Sequence, residues 1–144
     1  MKFFKALFGS KEEKPEEKKK AEEAKNFDVL KYDGVRALRA GQAEFAIRCF
    51  THALQMQDDL EIHDYLSQAY IRTGELTQAY EQLQKLAEAQ PDNQQIFIRM
   101  ANVAYMMEDY GAMAGACEKA MLIDDKTAEA VSYTHLRAHE TVLD

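Results

Sequence analysis

Residues that break helices are scarce in this chain, with two prolines and six glycines in 144 positions. β-Branched residues are sparse as well, whereas Ala, Gln, Glu, Lys, Leu and Met dominate. That balance disfavours strands and predicts an all-α domain. No apolar run approaches the roughly 20 residues that a membrane-crossing helix needs. There are only two cysteines, Cys49 and Cys117, and both fall inside apolar helical runs. Their placement predicts buried free thiols in a reducing cytosol. Also absent are a glycine-rich phosphate loop, a nucleophile elbow and a zinc-binding spacing.

Basic charge is short too, and the shortage is uneven. The net charge is −7. The first 25 residues hold eight Lys against six Glu, but residues 26–130 hold nine Lys or Arg against seventeen Asp or Glu. So acidic a body excludes general nucleic-acid binding, which requires a basic face. Hydrophobic residues make up 47% of the chain, enough for the core of one domain of ordinary size.

What the chain does have is a repeat. From Leu60, residues Tyr65, Leu66, Ala69 and Tyr70 recur at helical spacing until Gly74. A second run carries Leu76, Ala79, Tyr80, Leu83, Leu86 and Ala87 until Pro91. Gly41 lies 33 residues before Gly74, and similar runs flank it: Phe27, Leu30, Gly34, Ala37 and Leu38 before, Phe45, Ala46, Cys49, Phe50, Ala53 and Leu54 after. A third pair has Ile96, Phe97, Met100, Ala101, Ala104 and Tyr105, a turn at Glu108-Asp109, and then Tyr110, Met113, Ala114, Cys117, Ala120 and Met121. Asp124–Asp125 are expected to break that last run, with a fourth unit starting at Thr127. A single amphipathic pair cannot bury its own apolar face, so units of this period stack.

The body is thus expected over residues 26–130, with Asn26 as a helix cap and repeats at about 27–59, 60–92 and 93–126. Residues 10–25 are a Lys/Glu-rich linker, helical after Pro15, which cannot fold alone for want of apolar side chains. Residues 1–9 are a short amphipathic segment. Phe3, Phe4, Leu7 and Phe8 share a helical face beside Lys2 and Lys5. Two readings stand: an in-plane foot at the inner face of the membrane, or a segment docked on the body or left unordered.

The units resemble the tetratricopeptide repeat, a 34-residue helix-turn-helix. The small position of the first helix holds Gly34, Ser67 and Ala101. The turn holds Gly41, Gly74 and Glu108. The second helix carries Ala46, Ala79 and Met113, then Phe50, Leu83 and Cys117, then Ala53, Leu86 and Ala120, and the closing position holds Asp58, Pro91 and Asp125. Leu86, Glu108, Met113 and Cys117 depart from the family pattern, and most of them lie in the third unit. The resemblance implies a right-handed helical solenoid whose first helices line a concave groove. The groove positions it implies include Lys31, Val35 and Leu38 in the first unit, Asp64, Gln68 and Arg72 in the second, and Ile98, Asn102, Tyr105 and Met106 in the third. Some family members clamp a C-terminal carboxylate of a chaperone with Lys, Asn and Arg. Lys31 and Arg99 fall in matching positions, but Val35, Tyr65 and Gln95 fill the others, so that clamp is not expected.

Residues 131–144 do not continue the repeat. Val131 to Thr141 resemble, codon by codon, a translated transposase-type sequencing adapter. The natural chain is therefore expected to be longer, and the spacing of His135 and His139 carries no chemistry. Of the remaining histidines, His52 and His63 sit in different units without metal or catalytic partners, and both are expected at the surface or an edge. No catalytic residue, metal or cofactor is expected. The sequence points to a cytoplasmic, non-catalytic scaffold that binds a protein or peptide in its groove. Two alternatives are a chaperone of secreted or unfolded clients and the docking end of a longer enzyme.

Overall fold

The structure, a computed structural model, describes residues 15–131, with side chains described through Asp124. Six α-helices and no strand occur among the described residues: α1 (Pro15–Arg39), α2 (Ala43–Met56), α3 (Leu60–Thr73), α4 (Leu76–Ala89), α5 (Gln94–Met106) and α6 (Tyr110–Val131). They form two compact units that divide between Asp59 and Leu60. The amphipathic N-terminal segment with Phe3, Phe4, Leu7 and Phe8, the start of the linker and residues 132–144 lie outside the described residues. No described helix is long and apolar enough to cross a membrane.

In the first unit, α1 packs against α2. The helix does not begin at Asn26 as its capping chemistry suggested, but runs unbroken from Pro15. Proline suits a first helical position because its missing N–H has no partner there. Glu16 and Glu17 follow in the first turn, where negative charge faces the positive end of the helix dipole. Nothing between Pro15 and Gly34 breaks a helix. Residues 15–26 are exposed, and burial begins at Phe27. From there α1 buries Phe27, Gly34, Ala37 and Leu38, and α2 answers with Ala46, Cys49, Phe50 and Ala53. Phe50 is completely buried, worth about 1.5–3 kcal/mol by area. Phe45 is the exception in its run: it is 45% exposed, with the Arg48 guanidinium 5.7 Å from the ring centroid.

In the second unit, α3 packs on α4, α4 on α5 and α5 on α6. Its core joins Ala79, Leu83 and Leu86 of α4 to Ile96, Phe97, Met100 and Val103 of α5 and to Ala116 and Ala120 of α6. Asn93 caps α5 by accepting from the Gln95 N–H at 3.1 Å. The Asp109 carboxylate accepts from the Ala112 N–H at 3.1 Å and closes the start of α6.

One turn geometry closes the first helix of every pair. Gly41, Gly74 and Glu108 all have left-handed backbone, with φ of 81°, 82° and 61°. Each N–H donates three residues back, and the next N–H donates five back: Gly41 to Leu38 and Gln42 to Ala37, Gly74 to Ile71 and Glu75 to Tyr70, Glu108 to Tyr105 and Asp109 to Ala104. This is the Schellman closure, which satisfies the last carbonyls of a helix. The repeat aligned Glu108 with two glycines, and it adopts glycine's conformation at a steric cost.

The last helix departs from expectation in two ways. It does not break at Asp124–Asp125 but continues to Val131, since Asp is only mildly unfavourable within a helix and neither Gly nor Pro follows. Cys117 is exposed, not buried, and Tyr110 and Met121 are exposed with it at 58% and 62%. At the equivalent positions of α4, Leu83 is buried and Leu76 and Ala87 are half-buried, since α4 has both α3 and α5 against it. The main contact of α6 among the described residues is with α5, and Ala116 and Ala120 carry it.

Candidate partner-binding groove

The expected groove residues lie on the first helix of each pair, and each unit presents its own set. In the first unit Lys31 and Val35 are half-buried on α1. Lys31 Nζ donates to Asp59 Oδ2 at 3.0 Å, an ion pair within the first unit. Leu38 is 4% exposed. It fits the apolar stripe of α1 and is removed from the set of surface contacts.

In the second unit, Asp64, Gln68 and Arg72 follow one another at spacings of four along α3, which places them on one stripe. Asp64 is its hub. The Oδ1 atom accepts from Gln68 Nε2 at 3.3 Å and from the Arg99 guanidinium of α5. The Ser67 hydroxyl donates to the Asp64 carbonyl at 2.6 Å. On α5, Ile98, Asn102, Tyr105 and Met106 are all exposed, with Tyr105 61% and Met106 46% accessible. The Tyr105 ring meets Tyr110 edge-on, the centroids 6.4 Å apart. Beside this face lies a cleft of about 380 Å³ among the start of α3, the end of α4 and the start of α5. Glu61, Asp64 and Arg99 supply its charged groups, Gln90, Asn93 and Gln95 its amides, and Leu60, Leu86 and Ile96 its apolar wall.

The Asp64–Arg99 link spans 35 positions, about one repeat, and it joins the two first helices of the unit. Side chains one repeat apart on this face are neighbours, which is the signal that could have revealed the pair in the sequence.

A buried polar pair was missed as well. His63 is 4% and Gln82 8% exposed, and His63 Nδ1 donates to Gln82 Oε1 at 2.5 Å. His63 thus lies inside the unit, not at its edge, because α4 supplies an amide to receive it. His52 is exposed. Both thiols are free, and burial pushes Cys49 up from its ordinary pKa, helped by the Asp33 carboxylate. Burial likewise raises Tyr70, with Glu75 and Glu81 adding to it. Among the described residues no group of three or more His, Cys, Asp or Glu could hold a metal ion.

No protein-family model matches the sequence, and no curated protein matches it. Solved structures match its fold. The Sgt2 TPR domain from Aspergillus fumigatus is 23% identical with a TM-score of 0.59, over 69% of this chain and 66% of that one. Yeast Tom70 is 24% identical with a TM-score of 0.61, over 70% of this chain and 20% of that one. The first TPR of Spaghetti (RPAP3), bound to the HSP90 peptide SRMEEVD, is 17% identical with a TM-score of 0.60, over 83% of this chain and 94% of that one. The chain therefore spans just under two thirds of the Sgt2 domain and a fifth of Tom70. What it shares with them is the all-α helical-repeat fold of tetratricopeptide proteins.

Proposed function

We propose that this chain is a non-catalytic interaction module that holds a peptide or protein segment against the face shared by α3 and α5. The observation that carries the reading is the exposure of Ile98, Tyr105 and Met106 on α5, next to the polar stripe of Asp64, Gln68 and Arg72. Apolar side chains mixed with amides and charges suit recognition of a defined segment, in which a few anchors supply the energy and polar groups set the alignment. The mixture speaks against a uniformly greasy groove for unfolded clients. That a protein of this fold is bound to a peptide, as in the RPAP3 structure, supports the reading without identifying the partner.

Peptides selected from a displayed library against the intact chain provide the test. The double variant Asn102→Ala with Tyr105→Ala is expected to melt with the parent, since both side chains are exposed, and to lose most of the selected binding. Full retention of binding by a folded double variant contradicts the assignment of the face.

A further inference from the structure

We infer that the segment taken by the α3/α5 face is cationic, carrying Lys or Arg, and that Asp64 is the residue that sets this preference. The inference rests on the groove reading above and specifies the chemistry of its partner.

Three observations lead there. First, the one cation in the cleft of the second unit is already engaged: the Arg99 guanidinium lies on the Asp64 carboxylate. An incoming carboxylate would have to displace Asp64 from Arg99, whereas an incoming ammonium or guanidinium enters a cleft whose lining carries two carboxylates, Asp64 and Glu61, against that one cation. Second, the first unit repeats the arrangement, with Lys31 held by Asp59 at 3.0 Å. In each unit, taken by itself, a lysine or arginine of the first helices is thus already held by a carboxylate of the chain. Third, the field is strongly one-signed. Between Leu60 and Asp124 there are ten Asp or Glu against four Lys or Arg, which attracts cationic segments and repels acidic ones before contact. The likeness in fold to a domain bound to SRMEEVD, a peptide with three acidic residues, thus does not extend to its ligand. The amides of Gln90, Asn93 and Gln95 can meet the backbone of a bound segment, and Ile98 and Tyr105 its apolar side chains.

The test is fluorescence anisotropy on the full chain with two labelled peptides, acetylated and amidated at their ends. They share length and apolar residues and differ only in having Lys or Glu at the polar positions. The Lys peptide is expected to bind roughly tenfold more tightly, a difference that narrows as salt screens it. Asp64→Asn frees Arg99 and should shift the preference toward the Glu peptide by a similar factor, while Glu118→Gln on α6, which removes the same charge elsewhere, should not. If Asp64→Asn fails to fold, Arg99→Gln serves instead and should strengthen the preference for Lys. Equal binding of the two peptides, or tighter binding of the Glu peptide, overturns the charge preference and leaves the groove intact. An unchanged preference in the Asp64 variant removes Asp64 from the role. If neither peptide binds and the displayed library also yields no ligand dependent on Tyr105, the groove reading falls with it.

Discussion

Phe50 lies directly over Gly34: a Cβ added at position 34 would sit 2.5 Å from Cε1 and 2.7 Å from Cδ1 of the ring. The ring is fully buried and has nowhere to move. Gly34 is therefore a point of close approach between α1 and α2, where a larger side chain would push them apart.

Gly34→Ala should lower the melting temperature. The gain in helix propensity of about 1 kcal/mol is outweighed by overpacking that costs on the order of 1–3 kcal/mol. The same substitution at Gly115, where a Cβ meets nothing within 4 Å, should raise stability by roughly 0.5–1 kcal/mol. Chemical denaturation of the two variants checks both signs at once.

The three turns give a second pair of opposite effects. Glu108 pays for a left-handed φ of 61° that Gly41 and Gly74 adopt freely. Glu108→Gly should stabilise and Gly74→Ala should destabilise, each by about 1 kcal/mol. Space is not at issue for the alanine, since nothing lies within 4 Å of a Cβ at Gly74. Thermal melts that show the reverse order would mean that these turns are not equivalent.

The buried pair His63–Gln82 predicts non-additivity. Gln82→Leu removes the acceptor for His63 Nδ1 at 2.5 Å, and should cost about 1–3 kcal/mol. Replacing both residues by leucine should recover most of that loss, because a polar group no longer enters the core without its counterpart. A double-mutant cycle in urea measures the coupling.

The thiols differ in reach and in pH response. In the native chain a thiol reagent should modify the exposed Cys117 quickly and the buried Cys49 only on opening, with both reacting in denaturant. Because burial raises the Cys49 pKa above its ordinary value of 9.0, the unfolded thiol ionises first. The stability this confers on the fold is complete below pH 9.0 and declines as the pH rises above it. Cys49→Ala should flatten that decline in denaturation midpoints taken across the alkaline range.

The repeat was legible because its signals are local. Gly41 and Gly74 mark turns by a backbone demand that no other residue meets as cheaply, and they placed Glu108 in the same role. Small residues such as Gly34 and Ala79 follow the helical period and so reveal the contact face. What failed depended on neighbours. Asn26 looks like a cap, but nothing upstream of it ends the helix. Asp124 and Asp125 look like a stop, but without Gly or Pro they are carried along. Cys117 holds a core position of the pattern and is exposed because α6, among the described residues, packs chiefly on α5 through Ala116 and Ala120. Among the expected groove residues, Leu38 belongs both to an apolar stripe and to a position that the resemblance implies for a ligand, and burial decides for the first. The Asp64–Arg99 pair is legible only through its spacing of about one repeat, and the His63–Gln82 pair, 19 positions apart on separate helices, does not appear until the helices are packed.

A titration of the isotopically labelled chain with the Lys-bearing peptide, read by amide chemical shifts, tests the α3/α5 face most directly. Shifts are expected to cluster on Asp64 and Gln68 of α3 and on Asn102 and Tyr105 of α5, leaving Glu81 on α4 and Glu118 on α6 unmoved. Shifts concentrated on the exposed faces of α4 or α6, with α3 and α5 silent, would contradict the assignment of that face.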